Sequence, residues 1–331
     1  SISFGTAAVF ESATANYTAI AFDSNTGDVV VAYSDSGNSN YGTAAVGVVS
    51  GTDISFGTPV VFESENSGHL AIAFDVNAAK MVITYDDGSA DGHAIVGTVS
   101  GTDISFGTAV EFETSNTSYT SIIYDPDSLK VVVAYERHEG TTSLVGTISG
   151  TDISFGAKTI VNNDTDNYGI SLTYDTTLNK VILYYRTGII DARVNIGTVS
   201  GTTISFSAEE IIYLGNSQIN LPATYDPDSN RTILVYEPVG NTGVVTLFNA
   251  AVVNTTGDWI GIADADIANG ATGAVRLLGS VASGQTSLTI SSKYYLGRGG
   301  TIGATVIAGR EVGRAVSATE ILITQSSVAL G

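Results

Sequence analysis

The chain has 331 residues, of which 14% are charged, with 37 glycines, 16 tyrosines and only 5 prolines. That balance favours short strands and tight turns over helices. It has no cysteine, which excludes disulfides and thiolate metal sites, and a formal net charge of −20, which repels nucleic-acid phosphates and anionic membranes.

No apolar run approaches the roughly 18 residues a spanning helix needs, and no basic segment opens the chain, so neither membrane insertion nor a secretion signal is expected. The only methionine is Met81. A chain opening on Ser1 is therefore expected to be processed or to be part of something longer.

The opening stretch, "SISFGTAAVF" at 1–10, is half of a motif that later recurs whole. Its isoleucine returns as Ile54, Ile104, Ile153 and Ile204, at spacings of 52, 50, 49 and 51 from Ile2 onward. Between these marks each unit carries four apolar segments separated by turn-rich gaps. In the second unit they are "HLAIAFD" (69–75), "KMVITYDD" (80–87), "HAIVGTVSG" (93–101) and "TDISFGTAVEFE" (102–113). Alternating or short apolar runs bounded by Gly, Asp, Asn and Ser predict strands, and no segment sustains a helical period. Four strands per unit of about 50 residues predicts an all-β fold, a five-bladed β-propeller of four-stranded blades.

The SGTD link between the third and fourth segments is short enough only for a hairpin. Blades therefore begin at the strands around Ile20, Ile72, Ile122, Leu172 and Ala223. The fifth blade has "LPATYD", "RTILVYE" and "GVVTLFNA" but no ISFG strand. The N-terminal segment is expected to supply it and close the ring, since closure removes exposed sheet edges. Further repeats upstream are the competing explanation.

Within the units, Asp23, Asp75, Asp125, Asp175 and Asp226 recur where a short carboxylate sets a turn by accepting backbone N–H bonds. Five ion sites are the alternative, although the calcium-loop spacing is not met. Tyr33, Tyr85, Tyr135, Tyr185 and Tyr236 close every second strand and are expected to pack rather than bind.

Strand alternation places the variable loops between strands 2 and 3, and the crossovers between blades, on one face. Loops on a rigid scaffold are where binding diversifies. The candidate binding residues on that face are Tyr17, Asp35, Tyr41, His69, Asp86, Asp87, His93, Tyr119, Glu136, Arg137, His138, Tyr168, Arg186 and Glu237. Tyrosines beside acids suit glycan recognition by ring stacking and hydroxyl hydrogen bonds. A glycosidase would need two carboxylates about 5–9.5 Å apart, for which Asp35, Asp86, Glu136 and Glu237 are placed. No nucleophile elbow, P-loop, HExxH helix or dinucleotide fingerprint is present. Catalysis, a metal and a cofactor are accordingly not expected.

Past residue 253 the pattern breaks. Residues 1–253 hold 28 acids and 8 bases, whereas 254–331 hold 5 of each, which marks a propeller domain over 1–253 and a small β domain over 254–331. The second part contains "WIGIADADIANGATGAV", "SGQTSLT" before "KYYLG", and "IAGREVGRAVSATEILI". In this order it resembles a module at the ends of phage tail-fibre and related virion proteins, especially those of marine and cyanobacterial phages.

The resemblance covers about a fifth of the chain and carries no catalytic residues. It implies a virion structural protein, extracellular, homotrimeric and in contact with other virion proteins. The propeller's variable face would then bind a host-surface carbohydrate or receptor. The alternatives are an extracellular lectin or adhesin of a cell, and a polysaccharide-degrading glycosidase.

Overall fold

The computed structural model describes residues 4–137, 140–164, 167–187, 191–214, 221–236 and 244–248, together with seven short strands beyond residue 250. Its contacts divide the chain into Ser1–Ala250 and Ala251–Gly331. The first unit is a β-propeller.

Blade 1 comprises β1 (Ala15–Asp23), β2 (Asp28–Asp35), β3 (Tyr41–Ser50), β4 (Asp53–Phe56) and β5 (Val60–Asn66). Blade 2 comprises β6 (Gly68–Asp75), β7 (Lys80–Asp86), β8 (Gly92–Ser100), β9 (Asp103–Phe106) and β10 (Val110–Glu113). Blade 3 runs β11 (Ser118–Asp125), β12 (Lys130–Arg137), β13 (Gly140–Ser149), β14 (Asp152–Phe155) and β15 (Thr159–Ile160). Blade 4 runs β16 (Asn167–Asp175), β17 (Lys180–Thr187), β18 (Asp191–Ser200), β19 (Thr203–Phe206) and β20 (Glu210–Leu214). Blade 5 is β21 (Ala223–Asp226), β22 (Arg231–Tyr236) and β23 (Val244–Phe248).

Neighbouring strands pair antiparallel throughout. The expected fourth strand is present but broken: β4 and β5 both pair with β3, and the Gly57 amide donates to the Val46 carbonyl at 2.9 Å between them. Three blades repeat this break, at Gly107, Gly156 and Ser207. The SGTD link is a two-residue hairpin in which Gly51 adopts φ +63° and Thr52 does not turn positive, the pattern of a II′ turn.

The turn aspartates behave as expected. Asp23 Oδ1 accepts the Asn25 amide at 2.8 Å, and Asp75, Asp125, Asp175 and Asp226 accept equivalent amides.

The core lies between blades. Val30 and Val46 of blade 1 pack on Leu70, Phe74, Met81 and Ile83 of blade 2. Ala73 and Val96 meet Val131, Val133 and Leu144, and Val132 and Val145 meet Leu172, Val181 and Leu183.

The N-terminal segment takes the place expected of it only in part. A Cβ on Gly5 would lie 1.7 Å from the Thr52 carbonyl oxygen, the seat that Gly57 takes on Thr102 and Gly107 on Thr151. Residues 4–14 nevertheless form no strand, Phe4 is 91% exposed, and blade 5 is three-stranded among the described residues. In blades 1–4 a glycine (Gly47, Gly97, Gly146, Gly197) faces the Phe and Ile of the ISF strand closely enough that a Cβ would meet them at about 3 Å. The ladder places Phe248 at that position in blade 5, so the glycine that admits the ISF strand elsewhere is not there. Residues 1–3, 242–243 and 249–251, on which most of the remaining closing pairs would fall, lie outside the described residues.

The second unit is described only as short antiparallel strands. β24 (Ile262–Ala263) pairs with β25 (Val275–Arg276). β26 (Val281–Ala282), β27 (Lys293–Leu296), β28 (Ile302–Gly303), β29 (Glu311–Ala315) and β30 (Ile321–Ile323) form one sheet in the order β26-β30-β29-β27-β28. Most residues that carry the tail-fibre resemblance lie outside the described set.

Candidate functional site

Every described innermost strand except β21 begins with the same irregularity. In β1 the pairing runs Asn16↔Ser34 and then Ala19↔Ala32, so one extra residue is inserted. β6, β11 and β16 repeat it between Gly68 and Ala71, Ser118 and Ser121, and Tyr168 and Ser171. Such a bulge re-aims a side chain out of the strand's alternation. The residue six before the turn aspartate then adopts the left-handed region: Tyr17 (φ +48°), His69 (+42°), Tyr119 (+48°) and, in blade 4, Gly169 (+61°). A bulky side chain there costs on the order of 1–2 kcal/mol, and such strain concentrates at functional sites.

The bulges bring the rings into one row along the rim. The Tyr17 ring centroid is 5.0 Å from that of His69, His69 is 4.9 Å from Tyr119, and Tyr119 is 5.6 Å from Tyr168. Where blade 4 has glycine at the bulge, the aromatic side chain moves one residue back to Tyr168. The Arg186 guanidinium caps the row, 4.6 Å from the Tyr168 centroid, and is itself only 9% exposed.

Carboxylates stand behind the rings. Asp86 Oδ1 lies 3.1 Å from His69 Nδ1, with His69 25% and Asp86 14% exposed. Gly68 makes this possible, because a Cβ there would meet Asp86 Oδ1 at 2.8 Å. Glu136 accepts the Ser118 hydroxyl at 2.9 Å. Asp86, Glu136 and Arg186 share one ladder position, opposite Gly68, Ser118 and Tyr168. Burial, and then the Glu136 charge, push the Tyr119 phenol above its ordinary value. Tyr119 is therefore a neutral hydroxyl donor at physiological pH. Across the blade junction Thr120 Oγ1 donates to the His69 carbonyl that the bulge exposes, and Thr84 Oγ1 bonds Thr120 Oγ1 at 3.1 Å.

Of the residues selected from sequence, the structure thus gathers Tyr17, His69, Asp86, Tyr119, Glu136, Tyr168 and Arg186. It sends five elsewhere. Asp35 caps a short 3-10 turn, accepting the Gly37 amide at 2.9 Å. Tyr41 opens β3, paired with Asp35 and Asn66 and half-buried. Asp87 accepts the Ser89 and Asp91 amides and shapes its own loop. His93 stacks on Tyr85 with centroids 5.6 Å apart, and Arg137 lies 3.7 Å from Glu113. His138 and Glu237 lie outside the described residues.

Sequence reasoning missed what the second-strand tyrosines bond to. Tyr33, Tyr85 and Tyr135 are fully buried, and each phenol donates to a glutamate of the segment preceding its blade: Glu11 (3.2 Å), Glu63 (3.0 Å) and Glu113 (2.9 Å). The constant separation of 22 residues was visible in the sequence. In blade 4 that position is Asn163, and Tyr185 bonds Glu209 of its own blade at 3.1 Å instead. Among the described residues no group of three or more His, Asp or Glu side chains is placed to hold a metal ion.

No protein-family model matches the chain, and no curated protein does. Solved structures do. The periplasmic gluconolactonase PpgL of Pseudomonas aeruginosa superposes with a TM-score of 0.55 at 9% identity, over 96% of this chain and 88% of that one. AofleA from Arthrobotrys oligospora gives 0.47 at 11% identity, over 70% and 68%. An exo-β-1,3-galactanase from Phanerochaete chrysosporium, solved with β-1,3-galactotriose, gives 0.45 at 13% identity, over 90% and 79%.

At this identity the likeness to the gluconolactonase is one of fold. It still corrects two expectations. The tail-fibre-type virion reading rests on the resemblance of the segment after residue 253, and the expectation of no catalysis on the lack of a known catalytic motif. The same scaffold is built by an enzyme, so neither the virion assignment nor the exclusion of catalysis stands.

Proposed function

We propose that the chain is a carbohydrate-recognising propeller whose ligand seats on the aromatic rim formed by Tyr17, His69, Tyr119 and Tyr168. The observation that supports this is the row itself, with centroid spacings of 4.9–5.6 Å and three of its positions in a strained backbone conformation. Ring faces stack on the apolar faces of sugar rings, while Asp86, Glu136 and the Tyr119 hydroxyl offer hydrogen bonds to sugar hydroxyls. Orienting a small ligand requires this mix of apolar surface and a few polar groups.

Titration of a panel of neutral and amine-bearing oligosaccharides by calorimetry tests the reading. Tyr119→Ala should weaken binding by about fivefold or more, since one stacked aromatic contributes ~1 kcal/mol or above. Retention of full affinity by Tyr119→Ala would sink it.

A second reading, hydrolysis at the same rim, is favoured by the Asp86–His69 pair. A carboxylate at Nδ1 fixes the tautomer and orientation of an imidazole, which suits a general base that activates water. Turnover of aryl glycosides or aldonolactones, lost in Asp86→Asn, would establish it.

A further inference from the structure

The geometry points to an amine-bearing saccharide, such as an oligomer of de-N-acetylated hexosamine, as the ligand class of the rim. This rests on the reading of the rim as a saccharide site. Three observations carry it.

The first is the rings themselves. An aromatic face carries a negative quadrupole that attracts cations. The rim already holds one cation this way, since the Arg186 guanidinium sits 4.6 Å from the Tyr168 centroid. Tyr17, His69 and Tyr119 are the rings further along the same row.

The second is where the acids stand. Asp86 is bonded to His69, and Glu136 lies opposite Ser118, next to Tyr119. The Glu136 charge reaches the Tyr119 phenol. Arg186 stands at the Tyr168 end, its charge opposing that of Glu136 at Tyr119, so the acids lie along the His69–Tyr119 stretch and the guanidinium at the Tyr168 end. An ammonium group would settle over the His69–Tyr119 stretch, with the sugar ring running along the aromatics.

The third is the field of the whole propeller. Residues 1–253 hold 28 acids against 8 bases. A surface of that sign concentrates cationic ligands and repels uronate or sulfated chains.

The test compares three tetramers on the full-length protein: one of β-linked glucosamine, its fully N-acetylated form, and a neutral glucan. The wild type is measured beside Glu136→Gln, which retains an oxygen acceptor for Ser118, and Tyr119→Ala. The amine tetramer should bind about tenfold or more tighter than the N-acetylated one, with an advantage that shrinks in Glu136→Gln and at high salt. Equal affinity for the two forms would overturn the amine preference and leave a saccharide site standing. An amine preference that persists in both variants would also overturn it, by assigning the attraction to net charge alone. Failure of all three tetramers to bind would overturn the saccharide reading and this inference with it.

Discussion

Tyr17, His69 and Tyr119 adopt a backbone conformation that blade 4 fills with Gly169. Glycine takes positive φ without the clash that a Cβ brings, so at Tyr17 the native side chain opposes its own backbone. Tyr17 is more than half exposed and loses little packing when removed. Tyr17→Gly should therefore leave stability unchanged or raise it by up to about 1 kcal/mol in urea unfolding, while saccharide affinity falls. Stabilisation with unaltered affinity would show that the strain serves something other than the ligand. Leu129 supplies the control. It holds φ +57° in the turn between β11 and β12, where the equivalent turns use Gly27, Ala79, Asn179 and Asn230. Leu129→Asn should stabilise by about 0.5–1 kcal/mol with no change in binding, because it lies at the opposite end of the blade from the rim.

Between elements, the buried Tyr–Glu bonds fasten each of blades 1, 2 and 3 to the segment before it. Tyr135 donates to Glu113, which also receives Lys158 Nζ at 3.0 Å and is only 3% exposed. Tyr135→Phe leaves that carboxylate one donor short and should cost about 1–3 kcal/mol. Burial opposes the charge on Glu113, but the Lys158 and Tyr135 hydrogen bonds and the Lys158 charge outweigh it and hold the carboxyl below its ordinary 4.5. A carboxylate lowered on folding stabilises the folded state above pH 4.5, and that contribution is lost as pH falls through the folded value. Glu209 is held low in the same sense, by Arg193 after burial is overcome. The melting temperature should thus be level through neutral pH and fall below about 4.5, with a shallower fall in Glu113→Gln. An unchanged acid limb in that variant would remove Glu113 from the acid transition. These bonds explain why the tyrosines were readable from sequence only as packing residues. Their position is fixed by strand period, whereas their acceptors come from another blade. Asn163 further hides the pattern in blade 4, since it replaces the glutamate that the first three repeats share.

At the scale of the molecule, the 50-residue spacing and the turn aspartates were enough to place the blades and the variable face. The row of rings was not legible. Strict alternation along β1 or β11 gives the wrong side-chain direction once a bulge inserts one residue, and only comparison of positions counted back from Asp23, Asp75 and Asp125 aligns Tyr17, His69 and Tyr119. The same comparison shows how neighbouring blades share a core. The apolar clusters at the junctions of blades 1–4 are each shared by two blades, so these blades bury their facing surfaces jointly. Ile83 is fully buried between blades 1 and 2, in contact range of the cluster that includes Val30 and Val46. Ile83→Ala should cost about 2–5 kcal/mol, through lost transfer energy and the cavity left behind. If the junction is the cooperative unit, amide exchange should accelerate in β2 and β3 as well as in β7 and β8, with β17 and β18 far less affected, because stability in such arrays passes between nearest neighbours. Acceleration confined to β7 and β8 would mean that each blade opens on its own. The rim would then be assembled from independently moving blades, and its affinity should fall with temperature before global unfolding begins.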